Sequence, residues 1–402
     1  AVDAPEQHGV AVGVGYLCGC TVSLITVQHY GAARPPLVTL LTTTTTAPAD
    51  SPTPGAFSLR LPADRPRSSS NPLLLQLQGG PECVDRTSGL AWRFPLDARL
   101  DMHDGRPANL TLSPISSLLA AFPPDVSRAD AVRVLMRTIS LPHSIPPPRL
   151  SIPLASYDPL HEPRLLVNAP APALVLASSA RVGGTVAIIV GALGFTSAWA
   201  PVLGSVSAAA ELVLRQLALT LQAISAKSGG HLQRATFKFT GRHELEAFVR
   251  IVAVTAGVSL SESSIAAVAM LVMKANMLLD DLEESVRAVS EGEGKVEGPA
   301  GLLGLDSGSV SRSQVLLART LIASYVVQTS VLPCLVKFEP RDCVGKLDSG
   351  EALRATLDEA KRTLTSRVAE ADWGHHESGT PAVGGSPPPS QLQPPPPPQP
   401  RP

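Results

Sequence analysis

The sequence predicts an α+β chain of several domains: a small N-terminal β-sandwich, a mainly α-helical bundle, and a disordered proline-rich tail. Three observations carry this. Prolines divide the 402 residues sharply, with 24 in 1–175, 4 in 176–380 and 11 in 381–402. Proline removes a backbone donor and blocks helix interiors, so the first part favours strands and loops and the middle favours helices. The N-terminal part also holds short β-branched or alternating runs, whereas the middle repeats apolar residues at helical spacing. The boundaries drawn from this are 1–107 for the sandwich, 108–175 for a capped helix and proline-rich connector, 176–373 for the helical domain and 374–402 for the tail.

The strands come first. Val10-Ala-Val-Gly-Val-Gly-Tyr16 leads into Thr21-Val-Ser-Leu-Ile-Thr-Val27, read together as a strand pair. Thr42–Thr46 is a β-branched run with no helix period. Ala56-Phe-Ser-Leu-Arg-Leu61 alternates and stops at Pro62, and Pro72-Leu-Leu-Leu-Gln-Leu-Gln78 ends at Gly79-Gly80. Four or five such strands with turn residues between them suit a sandwich. Residues 80–107 hold Gly89, Trp92 and Phe94 and read as one more hairpin, with Trp92 a core residue rather than a ligand platform.

Helices follow. Ser127 caps 127–140 with Asp130 at capping-box spacing, and Val132, Leu135, Met136 and Ile139 share one face. Residues 142–175 read as connector. Residues 205–226 form a helix stopped by Ser228-Gly229-Gly230, and His243–Val258 form another near Gly257. Ser259-x-x-Glu262 opens a long helix to about Ser290, with Ile265, Val268, Val272, Leu279, Leu282 and Val286 inward. Leu-Asp-Ser-Gly recurs at 305–308 and 347–350, each read as the cap of a later helix; Leu353, Leu357, Leu364 and Val368 line the last. In the tail, Ser386-Pro-Pro-Pro-Ser390 and Pro394–Pro398 favour extended polyproline II.

Residues 182–210 carry no charge, and Val182–Gly204 is long enough to cross a bilayer. The stretch holds five glycines and Pro201 and lacks a basic anchor beyond Arg181, so a buried core helix broken near Gly194–Pro201 is the favoured reading and a membrane span the alternative.

Net charge is −1, with charged residues at 17% and aromatics at 4%. That balance argues against a nucleic-acid platform. Of the five cysteines, Cys18 and Cys20 fall on one face if they share a strand, and either pairs with Cys83 if the strands pack. Cys334 and Cys343 flank a loop between helices and suit a bridge contributing roughly 2–3 kcal/mol. Cys18-x-Cys20 is too close for a structural zinc site. Asn109-Leu-Thr111 is the one glycosylation sequon.

No catalytic set emerges. Gly13-Val-Gly15 lacks the spacing of a dinucleotide loop. Gly304-Leu-Asp-Ser-Gly308 places its serine where a cap is needed. His243-Glu244 has Ala247 in place of a second histidine. Asp280-Asp281 with Glu283-Glu284 reads as a solvated face, and His375-His376 as part of the tail. We therefore expect no catalytic, cofactor-binding or metal-binding residues and no cofactor.

Two resemblances add to this. Gly15-Tyr-Leu-Cys-Gly-Cys-Thr-Val-Ser-Leu24, Gly55-Ala-Phe-Ser-Leu59 and Leu73–Leu77 with Gly79-Gly80 resemble strands of transthyretin-like, collagen-adhesin B-type sandwiches. Leu110-Thr-Leu-Ser-Pro-Ile-Ser-Ser-Leu-Leu-Ala120, then Ser127-x-x-Asp-Ala131, Leu141-Pro142 and Asp158-Pro159, are similar to segments that follow such modules in large secreted proteins. Val27-Gln-His-Tyr-Gly31 departs from the acidic, calcium-associated loop found there. The Ser-Pro-Pro-Pro-Ser390 tail resembles hydroxyproline-rich wall glycoproteins. The resemblances imply a secreted or cell-surface protein, non-enzymatic, structural or adhesive, whose partners are cell-wall or matrix glycoproteins and polysaccharide. The alternatives are a membrane-anchored surface protein spanning near 182–204, and the non-catalytic part of a longer secreted enzyme whose catalytic domain lies beyond Pro402.

Overall fold

The computed structural model describes residues 6–28, 37–61, 73–100, 102–103, 106–107, 110–139, 158–160, 171–194, 206–227, 236–290, 320–348, 359 and 362. The chain is α+β, with strands first and helices after.

Among the described residues, eleven strands precede the first helix: β1 (Glu6–Ala11), β2 (Leu17–Cys18), β3 (Thr21–Gln28), β4 (Leu37–Thr45), β5 (Ala56–Arg60), β6 (Leu73–Gln78), β7 (Val84–Asp85), β8 (Leu96–Arg99), β9 (Met102–His103), β10 (Arg106–Pro107) and β11 (Leu110–Leu112). Two sheets dominate, one ordered β11-β1-β5 and the other β4-β3-β6-β8. The first is mixed: β1 runs parallel to β11, with Gly9 opposite Leu110, and antiparallel to β5, with Gln7 opposite Leu59. The second is antiparallel throughout, with Leu24 opposite Leu75 and Leu75 opposite Ala98. Both contribute to one core, in which Phe57, Leu59 and Leu112 of the first sheet meet Val22, Leu24, Leu75 and Leu77 of the second. Alternation buries one side of each strand, and the two apolar faces remove each other from water.

The expected strand Val10–Tyr16 ends at Ala11. Residues 13–15 bend, and Val12 bridges back to Tyr16, because two glycines in three residues favour a turn over a strand. Cys18 and Cys20 do not share a strand. Gly19 lies between them at φ +70°, a left-handed conformation that glycine adopts without a Cβ clash, and the chain changes direction there.

Among the described residues the helices are α1 (Pro114–Ala120), α2 (Arg128–Thr138), α3 (Ala171–Gly194), α4 (Val206–Lys227), α5 (Arg242–Thr255), α6 (Glu262–Ser290), α7 (Thr320–Lys337) and α8 (Pro340–Asp348). Helix α1 is one the sequence reading did not resolve. Ser113 and Ser116 form its capping box at 3.2 and 2.8 Å, and Pro114 occupies the first turn, where its missing N–H costs nothing. It lies against β8, the edge of the four-stranded sheet: the Ser117 hydroxyl accepts from the Asp97 N–H at 2.8 Å, and Ser116 Oγ donates to the Asp97 carbonyl at 2.9 Å. The open strand edge is thereby covered.

Helix α2 is capped as expected, Ser127 Oγ accepting from the Asp130 N–H at 3.1 Å. Helix α3 begins at Ala171, before the expected change at 176, since Pro172 falls in the first turn and does not oppose the helix. Helix α6 is capped by Ser261 rather than Ser259: Ser261 Oγ accepts from the Ser264 N–H at 3.1 Å. The expected inward residues Ile265, Val268, Val272 and Leu279 are buried.

Helix α7 passes through Pro333. The turn immediately before it, Val327–Val331, is a π-helical widening, which gives room where a proline ring meets the preceding turn. Leu347 and Asp348, expected to open the final helix, instead finish α8. The tetrapeptide at 305–308, the residues Leu353, Leu357, Leu364 and Val368, the break at 195–201, Asn109, His375-His376 and the tail 374–402 lie outside the described residues, as do the side chains of Asp280, Asp281, Leu282, Glu283, Glu284 and Val286.

Helices α1 to α8 share a second core, including Leu118, Ile188, Leu217, Phe248, Val272 and Leu335. Residues Val182–Gly194, which read as a span or as a buried helix, sit inside it. Ile188 and Ile189 are fully buried, and Leu335 of α7 packs beside Gly191, 3.4 Å from where a Cβ would stand.

Candidate functional site

Two small apolar clusters join the sheets to the helices. Val14, at the bend after β1, packs against Leu321, Ile322, Tyr325 and Val326 of α7. Val12 packs against Leu160 and Leu176. Asp85 fixes this bend. Its carboxylate is fully buried and accepts four backbone N–H groups: Val14 at 3.2 Å, Gly15 at 2.8 Å, Thr87 at 3.0 Å and Ser88 at 2.9 Å. Buried polar groups survive in folded proteins when paired, and one side chain here pairs four.

Beside that bend lies a cavity of about 320 Å³. Gly13, Val14 and the Trp92 ring form its sheet-side wall. Small residues of α3, among them Gly184 and Ala187, form the facing wall. Asn276 of α6 and Val327 and Gln328 of α7 close the remainder. The exposed side chains of Arg93 and Lys337 stand at its rim.

Three buried polar atoms of lining residues have no hydrogen-bond partner among the described residues: Trp92 Nε1, Ser179 Oγ and Gln328 Oε1. The Gln328 amide is oriented by its own Nε2, which donates to Ser324 Oγ at 3.3 Å and leaves Oε1 over. Gln328 belongs to the π-helical turn of α7. Such turns are rare and concentrate at functional sites. Each unmatched buried group costs about 1–3 kcal/mol. The neighbouring Asn276, by contrast, is bonded to Thr185 Oγ1 at 3.2 Å and to the Val272 carbonyl at 2.9 Å. The lining residues therefore offer an N–H donor, a carbonyl acceptor and a hydroxyl that serves as either, on a mostly apolar surface.

The structure joins Cys20 to Cys83 and Cys334 to Cys343, with Cα atoms 4.2 and 5.7 Å apart. Cys18 is the free cysteine, and burial pushes its thiol up to about 11. A thiol so seldom ionised is a poor nucleophile and metal ligand. Neither bridge touches the cavity. Among the described residues no three His, Cys, Asp or Glu side chains come together as a metal site would need.

Trp92 is a core residue, as its sequence setting suggested, but it is also a wall of the cavity. Ser179 and Gln328 were not singled out by sequence, because a serine in a small-residue helix and a glutamine in an apolar one carry no spacing signal. No protein family, curated protein or solved structure matches the chain.

Proposed function

We propose that this chain is a non-enzymatic structural or adhesive protein of the cell exterior, a disulfide-stapled sheet region and helical region on a proline-rich spacer. The observation that carries it is the pair of bridges, Cys20–Cys83 and Cys334–Cys343, since such bonds persist in oxidising compartments and are rare in the cytosol. The transthyretin-like, collagen-adhesin B-type resemblance is part of this reading. The segments that carry it fall in β3, β5 and β6, strands of both sheets about one core. Matrix glycoproteins and polysaccharide are the proposed partners.

Intact mass and non-reducing peptide mapping of native protein test it. We expect both bridges, and mass added at Asn109 and at prolines 387–389 and 394–398. A native mass equal to the bare chain, with Cys334 and Cys343 both alkylated without reductant, would sink the reading.

The second reading is a membrane-anchored surface protein. It rests on three helices among the described residues that are long and apolar enough to cross a membrane, Val175–Gly194 among them. In that helix 78% of the apolar window is already covered by protein, which supports burial in the core over burial in lipid. Extraction of the native protein without detergent is the outcome expected; a requirement for detergent would favour the span.

A further inference from the structure

We propose that the cavity between the β1 bend, α3 and the π-helical turn of α7 binds a small neutral amphiphile: an apolar body of about 10–15 non-hydrogen atoms carrying one hydroxyl.

Volume sets the size. About 320 Å³ is at the small end of ligand pockets and equals roughly ten water molecules of liquid. The walls set the body. Trp92 offers an aromatic surface, and the α3 wall is cut back to Gly184 and Ala187. A Cβ built on Gly184 meets nothing within 4 Å, so that position opens onto free space.

The unmatched atoms set the polar group. Gln328 Oε1 requires a donor, Trp92 Nε1 requires an acceptor, and Ser179 Oγ takes either part. A hydroxyl carries both the donor that the first lacks and the acceptor that the second lacks. A hydrocarbon answers none of the three. A carboxylate answers Trp92 but meets the Gln328 carbonyl oxygen with like partial charge. Ser179 and Trp92 are 2% and 7% exposed, so bulk water does not serve them. Arg93 and Lys337 stand at the exposed rim, outside this set.

Three naphthalene derivatives on one ring system test the claim with the full chain. 2-Naphthol carries a neutral hydroxyl, naphthalene carries nothing, and 2-naphthoate carries an anion. Titration followed by ligand fluorescence and by calorimetry should give saturable one-to-one binding of 2-naphthol. Naphthalene and 2-naphthoate should each bind roughly tenfold more weakly, the effect of losing one well-placed hydrogen bond. Gly184→Leu fills the space and should abolish all three interactions while leaving the circular dichroism spectrum unchanged. Gln328→Leu removes the acceptor without touching a made hydrogen bond of Oε1. It should keep naphthalene binding and erase the preference for 2-naphthol, which provides a test even if Gly184→Leu fails to fold. The proposal is overturned by any of four results: no saturable binding of 2-naphthol, equal affinity for naphthalene, tighter binding of 2-naphthoate, or unaltered binding in folded Gly184→Leu.

Discussion

Cys20–Cys83 closes a sequence separation of 63 in the sheet region, whereas Cys334–Cys343 closes one of 9 in the helical region. On the chain-entropy account the first removes about 4 kcal/mol of unfolded-state freedom and the second about 2.5 kcal/mol. The regions also differ in how they treat buried polar groups. The sheet region spends one carboxylate, Asp85, on four backbone amides. The helical region rests on a larger apolar core, and at the cavity both regions leave a polar group incompletely matched, Trp92 on the sheet side and Ser179 and Gln328 on the helices. The sheet region thus adds a few specific polar and covalent links to its apolar core. The helices are held by many interchangeable apolar contacts, which leaves a few positions free to serve something else.

Removing Asp85 probes that contrast most severely. Asp85→Ala strands four buried N–H groups and frees the bend that carries Val14 onto α7. We expect a loss of about 5 kcal/mol in urea unfolding. Asp85→Asn retains one acceptor oxygen and should fall between the two. A loss below about 1 kcal/mol for Asp85→Ala would show that the bend is held by its apolar contacts instead.

Breaking the bridges one at a time sharpens the comparison. Replacing both Cys20 and Cys83 by Ala should cost about 4 kcal/mol, and replacing Cys334 and Cys343 about 2.5 kcal/mol, each read from the denaturant midpoint. Equal losses, or the reverse order, would mean that the unfolded chain is not the seat of the effect.

The smallest expected effect concerns Asp97 on β8, at the seam between sheet and helices. Burial pushes its carboxyl up to about 6; the Gln76 amide, donating to Oδ1 at 3.0 Å, opposes the shift, and Glu211 adds to it. The folded form therefore holds a proton that the unfolded chain, titrating near 4, releases. Its contribution to stability is complete below about pH 4 and is lost as pH rises through about 6. Asp97→Asn keeps an acceptor for Gln76 and cannot ionise. It should remove that decline and exceed the parent by on the order of 1 kcal/mol above pH 6.5. Unfolding midpoints at pH 4.5 and 7.5 decide it; parallel curves for parent and variant would exclude Asp97 as the cause.

Much of the architecture is legible in the residues. Alternation marks β3, β5 and β6. Ser127 marks α2, and the glycine-rich stop marks the end of α4. The features that escape the sequence are those whose pattern is overruled by neighbours. Helix α1 is short and buried on nearly every side, so it has no polar face to give it a helical period. Pro172 and Pro333 suggest breaks, yet one sits in a first turn and the other follows a widened turn. The cavity is less legible still. Trp92, Ser179 and Gln328 are far apart in the chain and chemically ordinary, and only the fold makes them neighbours.

The widened turn of α7 also solves a problem of phase. One added residue advances everything beyond it by about 100° around the helix axis. Upstream, Leu321, Ile322, Tyr325 and Val326 face Val14 at the sheet seam. Downstream, Leu332 and Leu335 face Gly191 in the heart of the helices. A regular helix presents one stripe to one neighbour, whereas this one hands its apolar stripe from the sheets to the helices midway along its length. Deleting a single residue there would restore a regular helix and leave one of the two neighbours facing the wrong side.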